Sequence, residues 1–64
     1  MKVNGKLKNL ASSTNLEAII TALGLSPDRV AVELNGNVVP RSEYASVVPK
    51  EDDTVEIVSF VGGG

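Results

Sequence analysis

One run of apolar residues in this chain repeats at helical spacing. Leu16, Ile19, Ile20 and Leu23 stand at i, i+3, i+4 and i+7, a single stripe on one helix. The other apolar segments are strand-length, and the clearest of them alternate. A lone amphipathic helix must bury its stripe, and short strands must bury one face. One helix laid across one face of one sheet meets both demands. The length allows little more, since 64 residues hold one modest core.

The order of the elements follows from turn and cap signals. Asn4-Gly5 tolerates the positive φ required at both central positions of a type I′ turn. Met1-Lys2-Val3 and Lys6-Leu7-Lys8-Asn9-Leu10 flank it, with Lys2, Lys6 and Lys8 alternating with Met1, Val3 and Leu7. That reads as a β-hairpin with one apolar and one basic face. Ala11 to Asn15 is a polar breaker. Thr14 with Glu17 fits a capping box that opens the helix, and Ser13 is the alternative cap. Gly24 stands where a left-handed residue closes a helix, with Leu25 to make the accompanying apolar contact. Ser26-Pro27-Asp28-Arg29 reads as a turn.

Val30 to Leu34 alternates as a half-buried strand, and Asn35-Gly36-Asn37 is a second turn. Val38-Val39 is a short extended piece stopped by Pro40. Arg41 to Pro49 has no clean period and reads as irregular or 3₁₀ structure, with Tyr44, Val47 and Val48 as apolar anchors. Lys50 to Asp53 is an exposed turn. Thr54 to Val61 is the longest β-rich run, and Gly62-Gly63-Gly64 follows it. A helix after a hairpin, followed by a strand pairing in parallel with the first, suggests a mixed sheet with one helix on a single face. That is a minimal α+β, β-grasp arrangement of four to five strands. The expected core is Val3, Leu7, Leu16, Ile19, Ile20, Leu23, Val30, Val32, Leu34, Val55 and Ile57. Residues 1–61 form the single domain and 62–64 a flexible tail.

Composition excludes several classes of chemistry. There are no Cys and no His. That removes disulfides, Cys-ligated metal centres, thiol nucleophiles and the commonest general base. A net charge of -2 speaks against a general nucleic-acid binder. The acidic run Glu51-Asp52-Asp53 reads as a solvated turn, with no metal site expected. No leader and no membrane-spanning stretch is read from the sequence, so the expected location is cytoplasmic. The Lys2, Lys6, Lys8 cluster is either a partner surface or a solvated face that protects an edge strand.

The glycine run is different. At an average Gly usage of about 7%, three in a row at the end arise on the order of once in 3,000 chains by chance. A terminal Gly presents a carboxylate with no Cβ beside it, on a chain that can take φ/ψ values closed to other residues. A narrow enzyme channel can thread such a tail and bring the carboxylate to the α-phosphate of ATP. The acyl-adenylate formed there can be opened by a sulfur or amine nucleophile. On the same strand, a period of two that turns Val55 and Ile57 to the helix turns Val58 and Phe60 away from it. These two are the expected partner patch, and Arg41 is a further expected interface residue.

Over its whole length the chain resembles the sulfur carriers of thiamine biosynthesis, the ThiS group of ubiquitin-like β-grasp proteins. The resemblance rests on Asn4-Gly5, the helix opened by Thr14, and Val32-Glu33-Leu34-Asn35-Gly36 leading to Val39-Pro40-Arg41. Asp53 before the last strand and Val61-Gly62-Gly63-Gly64 complete it. It implies a carrier that is not itself an enzyme and binds no cofactor. An E1-like adenylating enzyme of the ThiF type consumes ATP to activate Gly64, with Gly62 and Gly63 threading its active site. Sulfur transfer then gives a thiocarboxylate, delivered to a thiazole synthase of the ThiG type. A carrier serving molybdopterin, tungsten cofactor or tRNA thiolation shares this chemistry. A β-grasp binding module without conjugation chemistry is the reading from another class.

Overall fold

Both Asn-Gly pairs form the turns expected of them. In the computed structural model, which describes residues 1–9 and 13–60, φ is positive at Asn4 (53°), Gly5 (82°), Asn35 (53°) and Gly36 (85°). Two consecutive positive φ values make a two-residue type I′ hairpin. The first joins β1 (Lys2–Val3) to β2 (Lys6–Leu7), and the second joins β3 (Val30–Leu34) to β4 (Asn37–Val39). The last strand, β5 (Thr54–Ser59), lies between the hairpins, so the sheet order is β2-β1-β5-β3-β4. β5 runs parallel to β1 and antiparallel to β3. Among the described residues the sheet is therefore mixed, with five strands and two open edges, as in a β-grasp fold. The strand that follows the helix is not the parallel partner of β1. That place falls to β5, the longest strand, which pairs on both sides.

The one α-helix among the described residues, α1 (Leu16–Ala22), packs on one face of this sheet. The cap expected at Thr14 belongs to Asn15, whose Oδ1 accepts from the Ala18 N–H at 2.8 Å. Glu17 thereby stands at the second helical position, one short of where a capping box needs it. The two N–H groups before Ala18 are met by the aperiodic segment. Leu16 donates to the Val47 carbonyl at 2.9 Å and Glu17 to the Tyr44 carbonyl at 3.1 Å. Orphan donors at a helix start need such partners when buried. At the other end Gly24 takes φ +78°. Its N–H bonds the Thr21 carbonyl and that of Leu25 bonds the Ile20 carbonyl, which is the Schellman closure.

The core comprises Val3, Leu16, Ile19, Ile20, Val30, Val32, Val39, Tyr44, Val55 and Ile57, with Leu25, Leu34 and Val47 packed against it. Two expected members are displaced. Leu7 is 79% exposed because the two-residue turn pairs Lys2 with Leu7 and Val3 with Lys6. Paired residues share a face, so Leu7 lies on the side opposite Val3. Leu23 is 37% exposed at the helix cap. Two residues join instead. Val39 pairs with Val32, and Tyr44 is buried with its hydroxyl donating to the Val30 carbonyl at 3.3 Å. Tyr44 follows a 3₁₀ turn at Arg41–Glu43, and another at Pro27–Arg29 leads into β3.

Candidate functional site

β5 is the last strand before the glycines in the sequence, and its alternation sets which side chains reach the open face of the sheet. Val55 and Ile57 are buried under α1, while Val58 is 61% and Phe60 55% exposed. The sheet register extends that open face. Val58 pairs with Ala31, Glu56 with Glu33, and Glu33 in turn with Val38. Val38 is 73% exposed. The face thus presents Val38, Val58 and Phe60 around two opposed carboxylates. The ladder bonds Asn35 N–H to Thr54 O and Phe60 N–H to Arg29 O place the Glu33–Glu56 pair in the wider class, with Cα atoms about 5.5 Å apart. Like charges directly opposite weaken a sheet. Leu7 lies farther along the same face, beside Lys2.

The structure brings two of the expected patch residues together, Val58 on β5 and Phe60 just past its end. The third, Arg41, sits on the 3₁₀ turn and pairs with Asp28 at 3.3 Å, both side chains more than half exposed. Such a pair contributes little to stability. Its place is nonetheless close to the tail end of β5, since Asp28 precedes Arg29, whose carbonyl holds the Phe60 N–H at 2.8 Å. Val61, Gly62, Gly63 and Gly64, with the expected tail and cargo site, lie outside the described residues, as does Leu10. Val38 is a face member that the alternation of β5 alone does not reveal. Counting register across the two-residue Asn35-Gly36 turn finds it.

The start of β5 is fixed by a side-chain clasp. Asn35 Nδ2 donates to Asp53 Oδ1 at 2.9 Å, and Asn35 Oδ1 accepts from the Thr54 N–H at 2.9 Å. The second Asp53 oxygen accepts from the Lys50 N–H at 2.7 Å. Bonds to the ionised form hold the Asp53 carboxyl below its ordinary value, the Asn35 amide first and the Lys50 N–H second. Asp53 is therefore a structural acceptor within the acidic turn. Among the described residues no group of three or more His, Cys, Asp or Glu could hold a metal ion, and no helix is long and apolar enough to cross a membrane. An apolar recess of about 230 Å³ lined by Val3, Lys8, Ile19, Ala22 and Leu23 lies on the helix side of the sheet.

What this fold resembles agrees with the sequence. The thiazole synthase of Magnetococcus marinus is 47% identical over 62 residues, which are 97% of this chain and 19% of that protein. The thiazole synthase of Paramagnetospirillum magneticum is 44% identical over the same shares. The chain thus spans about a fifth of the length of these curated relatives. Among solved structures, the thiamine biosynthesis protein (ThiS) of Geobacter metallireducens is 38% identical. It covers 98% of this chain and 96% of its own, with a TM-score of 0.80. The family model described as the ThiS family matches residues 1–64, glycine run included. With sheet order, helix placement and whole-length sequence in agreement, this chain belongs to the ThiS family.

Proposed function

We propose that this chain is a sulfur carrier of thiamine biosynthesis whose cargo site is the carboxylate of Gly64. The observation that carries the reading is the family match through residues 62–64 on a β-grasp domain. In the proposed cycle an E1-like enzyme binds the open face at Val38, Val58 and Phe60, with Arg41 at its margin. The Gly62-Gly63 backbone enters the enzyme's channel, where side chains would obstruct. A Gly64 carboxylate oxygen attacks the α-phosphorus of ATP and pyrophosphate leaves. A persulfide sulfur then attacks the acyl carbon and AMP leaves, giving an acyl disulfide. A thiol attacks the persulfide donor's own sulfur in that disulfide, a new disulfide forms with the donor, and the C-terminal thiocarboxylate is released. The chain itself contributes positioning and the acyl group, and no acid, base or nucleophilic side chain. A thiazole synthase is the proposed acceptor of the sulfur. The two relatives named thiazole synthase, each matching nearly all of this chain within a much longer protein, support that choice.

The test is removal of Gly64. The shortened chain should fold and melt like the parent, because the core between α1 and the sheet is built from Val3 to Ile57. It should fail to support ATP–pyrophosphate exchange by the activating enzyme, since Gly63 would end one residue short of the α-phosphate. Unchanged exchange would show that the carboxylate of Gly64 is not the acceptor.

A further inference from the structure

The Asn-Gly pairs that build the two turns are also open to a spontaneous reaction. With no Cβ on the following residue, the Gly backbone nitrogen can approach the Asn Cγ. A bond forms between them, the side-chain nitrogen leaves as ammonia, and water opens the resulting imide to aspartate or its β-linked isomer. One water is consumed and one ammonia released, with no oxidant or reductant.

The two turns share sequence and φ values but differ in surroundings. At Asn4 the backbone N–H donates to the Val55 carbonyl at 2.9 Å, and Oδ1 accepts from the Ile57 N–H at 2.7 Å. At Asn35 the N–H donates to the Thr54 carbonyl at 2.8 Å and Oδ1 accepts from the Thr54 N–H at 2.9 Å. Here a third bond is added. Nδ2, the leaving nitrogen, donates to Asp53 Oδ1 at 2.9 Å, and the Lys50 N–H fixes the same carboxylate. Ring closure at Asn35 must break that charge-assisted bond. Each turn joins one edge strand to an inner one, but the Asn4 turn joins strands of two residues. The Asn35 turn joins strands of five and three.

We propose that Asn4 is the position at which the folded protein deamidates, and that Asp53 guards Asn35 against the same reaction. The α-linked products differ as well. Aspartate at position 4 keeps an oxygen to accept from Ile57. Aspartate at position 35 sets a second carboxylate against Asp53 and removes the donor between them. The clasp protects the position where the product would be disruptive.

Trypsin separates the two sites, since cuts after Lys2, Lys6, Arg29 and Arg41 give residues 3–6 and 30–41. The folded protein is held in mildly alkaline buffer and the amide-to-acid mass gain is followed in each peptide, with fragmentation distinguishing Asn35 from Asn37. Residues 3–6 should convert about ten times faster than residues 30–41, given the extra bond to a charged acceptor. In urea the two rates should approach each other. Equal rates in the folded protein, or faster conversion of 30–41, would overturn the proposal. Asp53→Asn should raise conversion at Asn35 and leave Asn4 at its folded rate; no change at Asn35 would remove Asp53 as the guard. If both rates rise to their urea values, that variant is unfolded, and the ratio in the parent decides.

Discussion

Replacing Ile20 by Ala removes three carbons from a side chain that has no exposed surface. At about 0.8 kcal/mol per buried methylene, the lost transfer free energy alone is about 2.4 kcal/mol. The residue sits between α1 and the sheet, where both layers are hydrogen-bonded and collapse only in part. The cavity raises the expected cost to about 2–5 kcal/mol. A chain this size has a total stability of about 3–10 kcal/mol, so the variant should stand near its unfolding threshold. The Tm should fall by about 10–30 °C. Urea unfolding followed by circular dichroism should show a lower midpoint at an unchanged slope. Leu23→Ala supplies the contrast. Leu23 belongs to the same sequence stripe but is 37% exposed, so its cost should be about 1–2 kcal/mol, below that of Ile20→Ala. A Leu23→Ala loss equal to or above that of Ile20→Ala would refute the burial assigned to this helix.

Asp53 should make stability depend on acid. Its folded pKa lies below the ordinary 3.8, so its contribution is present above that value and is lost as pH falls through the lower folded pKa. Below pH 3.8 the parent's urea midpoint should therefore drop more steeply than that of Asp53→Ala; equal slopes would contradict the clasp. Phe60→Ala removes an aromatic ring that is 55% exposed. It should leave the melting curve nearly unchanged and weaken binding to the activating enzyme by about 1 kcal/mol or more if the ring is an anchor. A sharp loss of stability with intact binding would move Phe60 into the core and the partner patch elsewhere.

The helix stripe, the two Asn-Gly turns and the exposure of Val58 and Phe60 could be read in the sequence because each follows from a local period or a local φ requirement. Leu7 shows where such reading slips. Its alternation with the lysines is real, but a two-residue turn inverts the face between Val3 and Leu7, and the inversion appears only when pairs are counted across the turn. Tyr44 was visible as an apolar anchor but not as core, because the segment around it has no period. Its burial comes from the loop carbonyls of Tyr44 and Val47 docking on the first turn of α1. Thr14 and Glu17 also fit a capping spacing, so the sequence does not single out Asn15 as the cap. The tertiary contact of Asn15 Nδ2 with the Ala45 carbonyl at 3.0 Å favours Asn15. The Asn35–Asp53 clasp joins residues eighteen positions apart. The sequence could mark both residues without showing that they meet.

Sulfur transfer to Gly64 can be read from the intact mass of the chain. The chain is incubated with ATP, an activating enzyme and a sulfur source, then weighed whole. The expected result is the mass gain of one oxygen exchanged for sulfur, located by fragmentation at Gly64 and dependent on ATP. An unchanged mass, with an activating enzyme shown to be active on another carrier, would contradict it and leave a β-grasp module that binds through its sheet face alone.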